Sequence, residues 1–181
     1  MRILKLIGLM LLVVGVAIIG YFTYVLFINP ASPNETIYYQ EAGKDITLNY
    51  SRPYKKERLI FGEATEGALL PYGVYWRLGA NMATRIESKT DLVFGGRNLP
   101  AGKYRLYCYP YADHWLVVVH DKASGSGAAL PDSEGIVMQL NRPTAELENA
   151  LEQFTIDFEE GTEGLRLRMR WDTTEVSIPI Q

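Results

Sequence analysis

Phe154-Thr155-Ile156-Asp157-Phe158-Glu159-Glu160-Gly161-Thr162-Glu163-Gly164-Leu165-Arg166-Leu167-Arg168-Met169-Arg170 is the stretch that decides the fold class. Apolar residues occupy every second position on both sides of a glycine-bounded turn, which is the pattern of two half-buried strands joined as a hairpin. A turn centred on Gly161-Thr162 sets Phe158 against Leu165, Ile156 against Leu167 and Phe154 against Met169 on the apolar face. The same register puts Asp157 opposite Arg166 and Thr155 opposite Arg168 on the polar face. The stripe of Arg166, Arg168 and Arg170 therefore reads as a solvated face paired with the acidic strand opposite.

The alternation continues in both directions from the hairpin. Val176, Ile178 and Ile180 point one way in a last strand, and Pro179 predicts an edge position because proline cannot donate to a ladder. Upstream, Glu146 to Leu151 has helical character over a turn or two. Trp115-Leu116-Val117-Val118-Val119 is apolar on both faces and reads as a central strand. Tyr104, Leu106 and Cys108 share a face opposite Arg105, Tyr107 and Tyr109, and Pro100 with Gly102 builds the turn before them. Ala123 to Gly135, rich in serine and glycine, is a loop. Ile46, Leu48 and Tyr50 form one face of an earlier strand. The expected fold is all-β, an antiparallel β-sandwich of jelly-roll-like or related type, preceded by one transmembrane helix.

That helix is read from Leu6 to Ile28, an uncharged apolar run long enough at about 1.5 Å per residue to span a bilayer core of roughly 30 Å. Arg2 and Lys5 precede it and the next basic residue is Lys44. The bias places the N-terminus in the cytoplasm and the domain outside, in a bacterial cell the periplasm, with residues 6–28 in the inner membrane. Gly15-Val16-Ala17 has the small residues of a signal-peptidase site. The apolar run, however, continues well past Ala17 into Tyr21, Phe22, Tyr24 and Phe27, which favours an uncleaved anchor. Residues 1–28 are thus expected to form the cytoplasmic tip and anchor, 29–44 a linker stiffened by Pro30 and Pro33, and 45–181 the exported domain.

With 181 residues the chain can bury a core without disulfides, and Cys108 has no second cysteine to pair with. A net charge of −3 argues against a nucleic-acid partner. His114 and His120 would lie about 20 Å apart on a continuous strand at roughly 3.3 Å per residue, so no metal site is expected. Neither a nucleophile elbow nor a phosphate-cradling glycine loop is present, no cofactor is implied, and the reading leans away from an enzyme. The densest polar cluster lies around Trp76, with Arg77, Asn81 and Thr84 nearby in sequence and Arg52 and Arg58 as further candidates. It could hold an anion or a sugar against the indole, or tie together a turn with the indole in the core. The expected role is a binding or interaction module next to a membrane-protein partner. A carbohydrate- or anion-binding domain, with hydrolysis as an extension, is the alternative.

Several segments in order, Asp45-Ile46-Thr47-Leu48-Asn49-Tyr50-Ser51-Arg52-Pro53, Arg58-Leu59-Ile60-Phe61-Gly62, Pro71-Tyr72-Gly73, Trp76-Arg77-Leu78-Gly79-Ala80-Asn81, Ala83-Thr84 and Leu99-Pro100-Ala101-Gly102-Lys103-Tyr104, carry a resemblance. From about Ser32 onward the chain resembles the bacterial domain of unknown function numbered 2911. The resemblance implies an exported or envelope-associated, mainly β protein, typically of the Bacteroidetes group, and implies no activity. The chain departs from the family pattern after His120, where the loop of Ala123 to Ser133 replaces a Trp-Gly and an aspartate-containing strand.

Overall fold

The computed structural model describes residues 2–24, 30–162 and 164–181. It divides into two units, Met1–Pro33 and Asn34–Gln181. The first carries helix α1, Arg2–Thr23. Its stretch Lys5–Thr23 is long and apolar enough to cross a membrane, as fits a single-pass anchor or a signal sequence. The end of the expected span, 25–28, lies outside the described residues.

In the second unit the strands are β1 (Asn34–Tyr39), β2 (Ile46–Ser51), β3 (Phe61–Gly62), β4 (Leu70–Pro71), β5 (Thr84–Ser88) and β6 (Leu92–Phe94). They continue with β7 (Arg97–Leu99), β8 (Gly102–Pro110), β9 (His114–His120), β10 (Ile136–Gly161) and β11 (Gly164–Ile180). Nine of them form one antiparallel sheet in the order β1-β2-β5-β8-β9-β10-β11-β6-β7, while β3 and β4 make a small parallel pair. The class is all-β and antiparallel, as the alternation requires. Strand β1 falls inside the stretch expected to be linker, because Asn34 to Tyr39 pair along the whole of β2.

Strand β10 belongs to two neighbourhoods. From Ile136 to Pro143 it pairs with β9, and from Thr144 to Gly161 with β11. The change of partner coincides with bulging: β10 runs five residues from Glu146 to Leu151 while β11 runs two, from Thr174 to Asp172. These extra residues are the segment that suggested a helix; they are bulged strand instead. Asp172 takes a left-handed φ of 53°, and the buried positions of β11 switch from Leu165, Leu167, Met169 and Trp171 to Val176, Ile178 and Ile180.

The C-terminal hairpin differs from expectation in register but not in face. Ile156 faces Met169, Asp157 faces Arg168 and Phe158 faces Leu167, with Gly161 opposite Gly164. The turn centre lies one residue later than expected, which moves each partner by two and leaves every side chain on its predicted side. Gly164, at φ 95°, adopts the backbone region open to glycine. Arg168 pairs with Asp157 at 3.0 Å and Glu159 at 2.7 Å, and Arg170 also meets Asp157. β11 is not an edge: it lies between β10 and β6. Pro179 takes an end rung against β6, where its carbonyl accepts from Gly95 N–H at 2.8 Å.

Once β9 has left it, the edge of β10 near Phe154 is closed by the chain running out of β2. Phe154 N–H donates to Pro53 O at 3.0 Å, Lys55 N–H donates to Glu152 O at 2.6 Å, and Arg52 Nε donates to Phe154 O at 3.2 Å. Tyr50 Oη accepts from Ile156 N–H at 2.9 Å and lies within donating reach of Ile156 O and Glu35. Burial pushes the Tyr50 phenol well above its ordinary range, so it remains a donor. The core behind this seam is aromatic: Trp76, Trp115, Phe154 and Trp171 lie together, with the Trp76 and Trp171 rings stacked at 5.9 Å. Cys108 is fully buried in the same core, and its backbone pairs with that of Trp76.

Tyr50→Phe keeps the ring and deletes only the hydroxyl, leaving Ile156 N–H buried without its acceptor. It is expected to cost about 1–3 kcal/mol, seen as a lower urea midpoint at unchanged slope.

Candidate functional site

The cluster anticipated around Trp76 forms locally but does not open a binding surface. Trp76 is 5% exposed, and its Nε1–H donates to Gly79 O at 2.9 Å. Thr84, fully buried, donates its hydroxyl to Leu78 O. Arg77 donates to Asn81 O at 2.9 Å. Leu78 and Asn81 both have left-handed φ, 59° and 57°. A Cβ on Gly79 would lie 2.7 Å from Ser51 O, so this tight turn is built against the end of β2. The indole has no free face for a ligand to stack on. Arg52 and Arg58 are turned to other work: Arg52 binds Phe154 O, Thr155 and Glu35, and Arg58 donates to the carbonyls of Lys55 and Tyr54.

Of these candidates Arg77 alone extends to a second constellation, which the local sequence patterns do not reveal. On the sheet face opposite the aromatic core, the register of β5, β8 and β9 places Arg85 opposite Arg105 and Arg105 opposite His120. The three form one row across three strands. Each belongs to an alternation visible in sequence, but the row depends on strand register, which no single segment encodes.

A strap, residues 122–134, lies over this row. Its ends are drawn together where Asp121 N–H donates to Gly135 O at 2.9 Å, giving the form of an Ω-loop. Arg85 donates to Ala123 O (2.5 Å) and Gly125 O (2.9 Å), Arg77 to Ser126 O (3.3 Å) and Arg105 to Ala129 O (3.0 Å). Tyr75 Oη donates to Gly127 O at 2.8 Å and accepts from Arg105. Lys122 N–H donates to His120 Nδ1 at 2.9 Å, which puts the ring proton on Nε2 for donation to Asp132 O at 2.8 Å.

The electrostatics of the row are lopsided. Arg105 is 4% exposed, and its Nε has no hydrogen-bond partner. Among the described residues, no ion pair joins Arg77, Arg85 or Arg105 to a carboxylate. The Arg105 guanidinium instead lies 5.9 Å from the Tyr75 ring centre and 5.8 Å from that of Tyr107. Burial pushes the Tyr107 phenol up to about 12. Beside Arg85 opens a cleft of about 180 Å³ lined by Thr47, Asn49, Arg85, Ile86, Glu87, Lys103 and Ala123. Glu87 is held by Lys89 at 2.6 Å and Lys103 at 3.2 Å, and these partners keep its carboxyl below the usual range. Among the described residues no group of His, Cys, Asp and Glu is placed to hold a metal ion.

A family model described as Protein of unknown function (DUF2911) matches residues 32–180. The chain belongs to that family. No curated protein and no solved structure matches it. The span matched to DUF2911 takes in the Trp76 turn, the arginine row and the strap together.

The strap's exit turn in this DUF2911 domain is expected to respond to acid. Gly135 N–H donates to Asp132 Oδ1 at 3.3 Å, and this bond is the main cause of the lowered Asp132 pKa. A carboxyl lowered by folding stabilises the fold above its unfolded value of about 4, and the contribution is lost as pH falls through the lower folded value. The Gly135 amide resonance is therefore expected to titrate in one step with a midpoint below about 4, and Asp132→Asn is expected to abolish that step.

Proposed function

We propose that the protein is a single-pass, membrane-anchored binding module of the bacterial envelope, and that it takes a ligand bearing a carboxylate or phosphate at the Arg85–Arg105 face. The observation that carries the ligand class is a pair of arginines at facing positions of adjacent strands, one of them buried, with no carboxylate partner among the described residues. Like charges directly opposite each other on adjacent strands repel, and a buried charge without a counter-ion is costly. An oxyanion supplies the missing charge, and the planar guanidinium fork matches it with two donors at once.

The surroundings suit binding better than turnover. The Tyr107 phenol stays protonated at neutral pH, and both ring nitrogens of His120 are occupied by the strap backbone. The tether is supported by Arg2 and Lys5 ahead of the apolar run, with no basic residue until Lys44, which favours a cytoplasmic N-terminus and a periplasmic domain. On this reading the domain works beside the inner membrane, as an accessory to a membrane-protein partner.

The test is isothermal titration of the full-length protein in detergent with inorganic phosphate and with glucuronate, at fixed ionic strength. Saturable binding of at least one anion is expected, weakened about ten-fold or more by Arg85→Gln. No saturable binding of either, or equal affinity in the variant, would overturn the reading.

A further inference from the structure

The strap makes a geometric statement about how such a ligand is admitted. Each arginine of this face already donates to a strap carbonyl, Arg85 to Ala123 and Gly125, Arg77 to Ser126 and Arg105 to Ala129, while the Arg105 Nε is left without a partner. These acceptors are neutral, so they satisfy the hydrogen-bonding geometry of the guanidiniums without cancelling their charge. The strap has no regular secondary structure, and within it Gly127 alone is buried. The covering segment is held by hydrogen bonds from the arginines, Tyr75 and His120 and by this glycine, with little apolar surface to keep it down.

Gly127 is the point of closest approach. Its φ is 75°, and a Cβ there would meet Ala83 Cα and Cβ at 3.1 Å and Arg77 Cβ at 3.2 Å. Only a residue lacking a side chain allows the strap to sit this low on the sheet. Ala123, whose carbonyl accepts from Arg85, forms part of the wall of the cleft of about 180 Å³ that Arg85 also lines, so the strap borders the cleft at this contact.

We infer that residues 122–134 are a displaceable strap whose backbone carbonyls hold the place of an oxyanion, and that a carboxylate or phosphate entering by the cleft takes over Arg85 and then Arg105 as the strap lifts. The inference rests on the binding function proposed above and adds to it the route and the competitor. The charged oxygens of the ligand outbid the neutral carbonyls because they bring the counter-charge that the row lacks. The cleft accommodates the rest of a small ligand between Thr47 and Lys103. Carboxylate and phosphate share this chemistry; a sugar acid and free phosphate are its two sources.

The test uses the full-length protein in detergent, with inorganic phosphate and glucuronate as probes, and combines calorimetry with amide hydrogen exchange. Saturating the better-binding probe is expected to raise exchange in residues 122–134 while leaving β8 and β9 protected. Gly127→Ala strains the seated strap and is expected to tighten binding of that probe about five-fold. Tighter binding of glucuronate than of phosphate assigns the sugar acid as source, and the reverse assigns phosphate; either order agrees with displacement. If the wild type binds an anion but strap exchange is unchanged or falls, the strap is a fixed part of the site and the inference is overturned while the binding function stands. Unchanged or weaker binding in Gly127→Ala overturns it in the same way. If that variant does not fold, exchange in the wild type decides alone. If the wild type binds neither probe, the binding function falls and the strap inference with it.

Discussion

The hydrogen-bonding needs of one long strand govern the domain. β10 gives its first residues to β9 and the remainder to β11, so the edge it shared with β9 is bare beyond the point of divergence. Buried backbone groups left unpaired would cost more than most single contacts return. The chain emerging from β2 meets this need with a main-chain rung between Pro53 and Phe154 and another between Lys55 and Glu152. The side chains of Tyr50 and Arg52 complete it. The Trp76 turn is pressed against the same segment through Gly79 and Ser51. What resembles a ligand cluster in sequence is thus bound up with closing the sheet.

A different balance holds on the opposite face. There the arginines are near one another because antiparallel register brings them together, and what surrounds them is rings and carbonyls. Contrast Arg168, which meets two carboxylates on the facing strand and is neutralised where it stands. The two arginine-bearing rows differ in electrostatic character. The difference lies in what the neighbouring chain supplies, which is why only one of them presents an unanswered charge.

The parts of the fold legible in sequence are those set by period-two alternation. The inward faces of β2 and β11's first half follow directly from Ile46, Leu48 and Tyr50 and from Leu165 to Met169. The hairpin partners differ by two from those that alternation suggests because the chain reverses between Gly161 and Gly164, and alternation constrains parity without constraining where a chain reverses. The bulge at Glu146 to Leu151 read as helix because its spacing breaks the period of two, which is what a bulge does. Of the site, Arg77 was within reach of sequence reasoning. Arg85, Arg105 and His120 were not, since their convergence is a product of three strands pairing across loops of unrelated length.

Cys108 shows a last consequence of this packing. Its thiol is fully enclosed, and burial raises its pKa well above the ordinary range. A solitary sulfur on a protein surface invites mixed disulfides and cross-linked dimers wherever the surroundings are oxidising. Here the nucleophile is both protonated and unreachable. The aromatic core that closes the sheet therefore doubles as redox insulation, and the folded domain can keep an unpaired cysteine without needing a reducing compartment.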